Sequence, residues 1–530
     1  MRSKVYLRQN ILAEPLFNQW YAWSYLIPPA TAAMYMANSH LKIMRSFVDA
    51  PQVHISALKN PAMVGGPFIN YDESRKEEIK ALMEKTVKEQ AGLLKLADSL
   101  KRADSMVVGE SEGLSMEPLY KRIPDALRGY VELVYDLNNH PSIRLIEGLL
   151  YKSPYYSESS QSMALSFIHK DGRPFVFSTP RLESDECVRL KVHFSHQGVD
   201  ELFKMKRTPQ PIDFIKELLT VGPENAELFS SFFGPEAPQP APRYVGSGVR
   251  IRYFGHACVL IESRDVRILI DPLISYKYDN ATPRYTYADL PETIDYALIT
   301  HNHQDHCMFE TLLQLRHAVK HFIVPKSNGG GLADPSLKLM LQNIGFDSVR
   351  EIDEMETLKF EGGEIISLPF LGEHADLAIR SKNAYLVKIG EQSILCAADS
   401  NNIDPSLYEH IHDVIGDVDV VFLGMECVGG PLTWLYGPLL VKPISHKLDQ
   451  SRRFDGSNCE KGIDMVNQLN PKQVYVYAMG QEPWLTYLTT LYYDEESPQI
   501  IESNKLVQEC RRRGIRSENL FGYKEIYLGS

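Results

Sequence analysis

Seven cysteines in 530 residues (Cys187, Cys258, Cys307, Cys396, Cys427, Cys459 and Cys510) form an odd set without a CxxC pair. That excludes a disulfide framework and points to a reducing compartment, with the thiols as small buried hydrophobes. Long apolar runs are almost as scarce. The uncharged stretch at 20–37 is broken by Pro28-Pro29 and diluted by Ser24 and Thr31, and Glu14, Asn18 and Gln19 precede it where a signal peptide needs its apolar region. The expectation is therefore a packed aromatic segment of a cytoplasmic protein that does not enter the membrane. Basic charge is also in deficit, 56 Lys+Arg against 68 Asp+Glu for a formal charge of -12, which opposes binding to nucleic acid or anionic lipid. There is no fixed-period repeat and no GxGxxG after a strand, so a built-in nucleotide or flavin domain is unsupported.

What remains is an ordinary globular composition, 44% hydrophobic and 23% charged, long enough for two or three domains at about 150 residues each. The boundary is GPEAPQPAPR at 234–243, where four prolines in eight residues fix an extended linker. Residues 1–233 predict a mixed α+β domain with one long helix. It opens at Ser74 with Glu77 as a capping box and carries Ile79, Leu82, Met83, Val87, Leu93, Leu94 and Leu100 at helical spacing. This part holds no chemical motif, and His140, His169, His193 and His196 read as structural. From 244 to 530 the texture changes. Strands are predicted at 249–253, 259–261, 266–270, 296–300, 321–325, 364–368, 384–389, 393–397, 418–423 and 473–477, with a helix over 308–320. Such alternation implies an αββα sandwich.

The strand at 296–300 runs straight into HNHQDH. His301, His303, Asp305 and His306 place four donors within six residues, on a loop from which alternate side chains reach two adjacent metal sites. By composition, HxHxDH arises by chance in about one in a thousand chains of this length. With the upstream passage FGHACVLIE…ILIDP at 254–272, the motif resembles the metallo-β-lactamase superfamily, which implies a dinuclear site. In that pattern the bridging carboxylate falls on Asp399, in ILCAADS. The third-ligand position falls on the neighbours Glu373 and His374, and both stay open. No histidine follows the strand QVYVY. His410, His412 and His446 are the histidines after Asp399; the first two read as loop residues and His446 as an alternative ligand.

Fewer imidazoles and more carboxylates make a harder, more anionic site, which suits iron better than zinc and leaves positions open for oxygen chemistry. The runs LITHNHQDHCMFETLLQLRH, LPFLGEHADLAIRSK, AADSNN, DQSRRFDGSN and VYVYAMGQEPW, with LRQNILAEPLFNQWYAWSYLIPP near the start, resemble the diiron β-hydroxylases that act on amino acids tethered to nonribosomal peptide synthetases in antibiotic biosynthesis. The resemblance spans essentially the whole chain. It implies two non-haem irons, one held by His301, His303 and Glu373, the other by Asp305 and His306, with Asp399 completing the cluster. It also implies O₂ as co-substrate, an external electron donor or reductase, a carrier domain as partner, and a homodimer whose N-terminal region shapes access to the iron. The alternatives are a dinuclear zinc hydrolase and an idle scaffold for synthetase assembly. Glu426, just after the strand at 418–423, reads equally as a group supporting a ligand or proton and as a structural carboxylate. Lys442, Lys447, Arg452 and Arg453 offer either a carrier contact or a charged surface loop. His256 and Asp271 either support the site or bond within the fold.

Overall fold

Strands that are buried at every position, such as Val420–Gly424 and Val259–Glu262, suit a sheet covered on both faces. The computed structural model, which describes residues 4–239 and 241–529, builds two such sheets of seven strands. The first runs Val349–Ile352, Val319–Pro325, Ile294–Leu298, Arg267–Ile270, Val259–Glu262, Val249–Tyr253 and Lys524–Leu528 in spatial order. The second runs Thr357–Phe360, Gly363–Leu368, Ala384–Ile389, Gln392–Cys396, Val420–Gly424, Gln473–Tyr477 and Arg516–Asn519. Four adjacent strands of each sheet pair in parallel and the rest antiparallel. Ile251, Ile261, Ile268 and Leu298 of the first sheet share a core with Val387, Ile394, Phe422 and Tyr475 of the second. Helices Cys459–Leu469 and Pro498–Arg512 cover the second sheet's outer face through Met465, Val466, Leu506 and Val507. The layering is αββα, as expected.

Three details differ from expectation. The helix predicted over 308–320 is only Phe309–Leu315, because the β-branched, strand-forming run Val319–Pro325 claims the residues after it. The single helix expected from Ser74 is a 3-10 turn Glu73–Arg75 followed by Lys76–Glu89 and Ala91–Glu110, broken at Gln90. No capping box forms at Ser74: Asp72 is the cap and accepts from the Ser74 amide, and the Gln90 side chain leaves the helix line to donate to Ser160 Oγ at 2.9 Å. The edge strands Thr357–Phe360, Arg516–Asn519 and Lys524–Leu528 escaped prediction because polar residues interrupt them.

In the N-terminal part, a four-stranded antiparallel sheet joins Trp20–Tyr21, Ile11–Phe17, Gln161–Phe167 and Cys187–Leu190. The aromatic stretch from residue 20 folds into that short strand, a 3-10 turn Ser24–Leu26 and the helix Pro29–Tyr35, all buried. Among the described residues no helix is long and apolar enough to cross a membrane. Trp20, Trp23 and Leu26 belong to one core with Ile299, Phe309, Leu312, Leu435 and Tyr436, so the N-terminal part packs directly beneath the histidine loop. Residues 235–239 and 241–248 carry no regular element, while Pro240 of the expected linker lies outside the described residues.

Candidate metal centre

The parallel strands of both sheets end at the same edge, where backbone pairing stops and side chains are free to converge. Strand Arg267–Ile270 ends at Asp271, Ile294–Leu298 leads to His301, Gln392–Cys396 to Asp399, and Val420–Gly424 to Glu426. A Cβ on Gly424 would lie 2.8 Å from the Ala398 carbonyl and 2.9 Å from Asp399 Oδ1, so only glycine lets that strand approach Asp399. Several residues here hold positive φ, among them Asp271 (42°), Glu373 (62°), Ala375 (51°), Asp376 (56°) and Ala398 (49°). Each such conformation costs about 1–3 kcal/mol and persists only where the surroundings impose it.

His303 Nδ1 is 2.9 Å from Glu373 Oε1, and His301 Nε2 is 3.7 Å from Glu373 Oε2 and 3.8 Å from Asp399 Oδ2. His306 Nε2 is 3.0 Å from Asp399 Oδ2. Three donor groups emerge: His301, His303 and Glu373; His301, His306 and Asp399; and His256, Asp305 and His306. All six expected ligands therefore fall in one cluster. His374 stays outside these groups although its ring stacks on His303 at 4.6 Å, and His446 is exposed at the start of helix His446–Ser451.

The groups behind these donors fix their tautomers. Asp271, fully buried, accepts from the Thr300 amide, the Thr300 hydroxyl and His306 Nδ1 at 2.7, 2.6 and 2.8 Å. A proton on His306 Nδ1 leaves the Nε2 lone pair facing Asp399. The Tyr436 hydroxyl lies 3.0 Å from His303 Nε2 and braces the ring from the side opposite Glu373. At His256 the order is reversed: the Gly480 amide donates to Nδ1 at 3.1 Å, so Nε2 carries the hydrogen and points at Asp305 Oδ2, 3.1 Å away. His256 thus orients a carboxylate. Spacing alone gave no sign of Tyr436.

Burial pushes Glu373 up to about 7, although His303 pulls it down. Burial also works against Asp305, yet His256, His306 and His303 hold it well below the carboxylate range. His301, buried and beside His306 and His303, is held well below the usual histidine value. His306 resists burial and titrates well above it because of Asp399 and Asp271. Six buried ring and carboxylate atoms of the site have no hydrogen-bond partner: the four donor atoms His301 Nε2, His306 Nε2, Glu373 Oε2 and Asp399 Oδ1, and beside them His256 Nε2 and His374 Nε2. Each such orphan costs about 1–3 kcal/mol, and a pair of cations satisfies the four donor atoms. Three imidazoles and three carboxylates form a hard donor set that fits iron.

The cluster lies at the floor of a cleft of about 830 Å³. Trp434, Leu435, Phe454, Leu491 and Val64 give it an apolar wall. Val64 comes from the N-terminal part, and Trp434 Nε1 donates to the adjacent Gly65 carbonyl at 3.3 Å. Gly65, at φ +90°, presses so closely on Thr490 that a Cβ would meet its hydroxyl oxygen at 2.3 Å. Glu426 lines the same cleft. Arg452 and Arg453 turn inward, donating to the Ala375 and Gly429 carbonyls at 2.9 and 2.6 Å; Lys442 and Lys447 are the exposed cations of that loop.

Residues 6–238 match the family described as the diiron non-heme beta-hydroxylase N-terminal domain, and residues 250–450 match the beta-lactamase superfamily domain. The chain is 41% identical, over 97% of its length and 98% of the relative's, to the 4-amino-L-phenylalanyl-[CmlP-peptidyl-carrier-protein] 3-hydroxylase of Streptomyces venezuelae. The chain belongs to the diiron non-haem β-hydroxylase family. The crystal structure of CmlA, a diiron beta-hydroxylase from Streptomyces venezuelae, superposes with a TM-score of 0.94 at 40% identity, covering all of both chains. A UPF0173 metal-dependent hydrolase of Pyrobaculum calidifontis is 38% identical over 11% of this chain and 24% of its own. As a diiron β-hydroxylase the chain takes a pair of irons as its cofactor, which agrees with the orphaned donor atoms.

Proposed function

We propose that this enzyme hydroxylates the β-carbon of an aminoacyl thioester carried on a nonribosomal peptide synthetase, in the assembly of an antibiotic-type natural product. In this reading His301, His303 and Glu373 would hold one iron and Asp305 and His306 the other, with Asp399 completing the donor set. When bound, the cluster supplies oxygen activation: one atom of O₂ enters the C–H bond and the other leaves as water, with two electrons from an external reductase. Asp271 holds the proton on His306 Nδ1 and so aims the Nε2 lone pair, while Tyr436 braces His303 and His256 orients Asp305. The apolar wall receives the substrate side chain and excludes water from the reacting carbon. The observation that carries the reading is this six-donor cluster at the floor of an aromatic-walled cleft, in a member of this family. A homodimer, a cytoplasmic setting and the division at 234–243 into an N-terminal and a catalytic domain belong to the same proposal.

Tethering gives the enzyme binding energy remote from the β-carbon, which positions one C–H bond. The test supplies iron-loaded, reduced protein with O₂ and either the free amino acid or the loaded carrier, and weighs the product by mass. A gain of 16 mass units on the carrier, with little on the free amino acid, is expected. Equal rates on both sink the tethering claim, and stoichiometric zinc with hydrolysis sinks the oxygenase. Because Arg452 and Arg453 are tied to the fold, the carrier contact is tested by reversing Lys442 and Lys447 to Glu, which should weaken turnover of the loaded carrier and its salt dependence.

A further inference from the structure

Glu426 is the one charged residue of the cleft lining that joins none of the donor groups. It sits just past the end of strand Val420–Gly424, on the same edge as Asp399. Its main chain is fixed by the Gly456 amide, which donates to its carbonyl at 2.8 Å. One side-chain oxygen accepts from the Tyr493 hydroxyl at 3.1 Å. The other has no protein donor among the described residues, and no Lys, Arg or His lies within ion-pair distance of the carboxylate. Burial, and after it Asp399 and Asp305, push its carboxyl well above the ordinary range. A carboxylate left without a cation in such a place is costly, while Asp305, Glu373 and Asp399 have the metals as partners.

We infer that Glu426 binds the α-ammonium group of the aminoacyl thioester and so fixes the β-carbon, two bonds away and the one hydroxylated, over the metal cluster. The inference rests on the proposed function. Its second support is the layout of the cleft. The apolar wall of Trp434, Leu435 and Phe454 suits a side chain, whereas Glu426 lines the same cleft as the ligand carboxylates Asp305, Glu373 and Asp399. An ammonium bound there is one bond from Cα and two from Cβ. With the thioester arm and the side chain as further attachments, three points define which β-hydrogen faces the metals.

The experiment compares wild type with Glu426→Gln, both iron-loaded, on three carriers: phenylalanyl, 4-aminophenylalanyl and 3-(4-aminophenyl)propionyl, the last lacking only the α-amino group. Wild type should prefer the faster aminoacyl carrier to the desamino carrier by about 10- to 100-fold in kcat/KM, the range expected for one desolvated, charge-assisted contact. In Glu426→Gln that preference should shrink to within about threefold, the loss falling on the aminoacyl carriers alone, with two irons per chain retained. A variant that loses iron identifies Glu426 as a ligand and overturns the inference. So does an equal loss on all three carriers, or a loss that follows the ring amine. If wild type hydroxylates no carrier-bound amino acid, whichever amino acid is loaded, it is the proposed function that fails.

Discussion

At Glu373 and His374 two neighbouring side chains compete for one inward position, and the backbone decides between them. Glu373 adopts φ 62°, which swings its carboxylate to 2.9 Å from His303 Nδ1. His374 instead faces the Gly372 carbonyl through Nδ1 at 3.3 Å and fills space against the His303 ring. Glu373→Ala should accordingly lose iron and nearly all hydroxylation. His374→Ala should keep about two irons per chain and lose activity by no more than the 10- to 100-fold typical of groups behind the ligands. Iron analysis beside turnover reads both, and the reverse order would restore a three-histidine site like that of the hydrolases.

Elements, rather than single residues, explain why the site was only partly legible. HNHQDH and Asp399 stood out because they follow short apolar strands, and the strands 249–253, 384–389 and 473–477 matched to the residue. Glu373 was ambiguous because its loop has no periodicity: residues 372, 373, 375 and 376 hold positive φ, and the loop is held by Lys382 on the Gly372 carbonyl and Arg452 on that of Ala375. Those contacts join segments distant in sequence and leave no local signature. Tyr436, Trp434, Phe454 and Val64 were invisible for the same reason, since each reaches the cleft only through tertiary packing. Glu147 shows what such packing does to a titrating group. It opens the short helix Glu147–Leu150 and accepts at 2.9 Å from the Ser336 amide, just before helix Leu337–Asn343. Burial, with Asp334 and Glu351 adding to it, raises its carboxyl to about 7. The folded state therefore keeps this proton to higher pH than the unfolded chain, and stability is lost as pH rises from the ordinary value to about 7, on the order of 2–3 kcal/mol. Glu147→Gln, a mimic of the neutral form, should raise the thermal midpoint at pH 8 and leave it unchanged near pH 4. An equal effect at both would show that the carboxyl titrates normally.

At the scale of the whole molecule, the N-terminal part and the metal-bearing sheets are joined by a buried charge network as well as by a common core. Arg181 pairs with Glu14 at 2.8 Å, and Arg173 reaches Glu14 at 3.4 Å and Glu310 at 3.0 Å. Tyr21 and Tyr276 donate to Glu310 at 3.0 and 2.8 Å, and the Arg173 guanidinium lies 3.3 Å from the Tyr487 ring centre. Glu310 sits on helix Phe309–Leu315, only a few residues beyond His306, so the network anchors the element that ends the histidine loop. Removing one partner of a buried pair strands the other charge, at a cost of about 3–5 kcal/mol, whereas removing both is far milder. Arg173→Met should thus lower the unfolding midpoint sharply and loosen iron, and adding Glu310→Gln should recover part of the loss. The four tryptophans report from both sides, Trp20 and Trp23 before the linker, Trp434 and Trp484 after it. Because Trp20 and Trp23 share a core with Leu435 and Tyr436, single-tryptophan versions should unfold in urea at one midpoint and shift together in Arg173→Met. Separate midpoints, or a shift confined to Trp20 and Trp23, would show that the N-terminal part is a detachable cover and not a structural base for the metal centre.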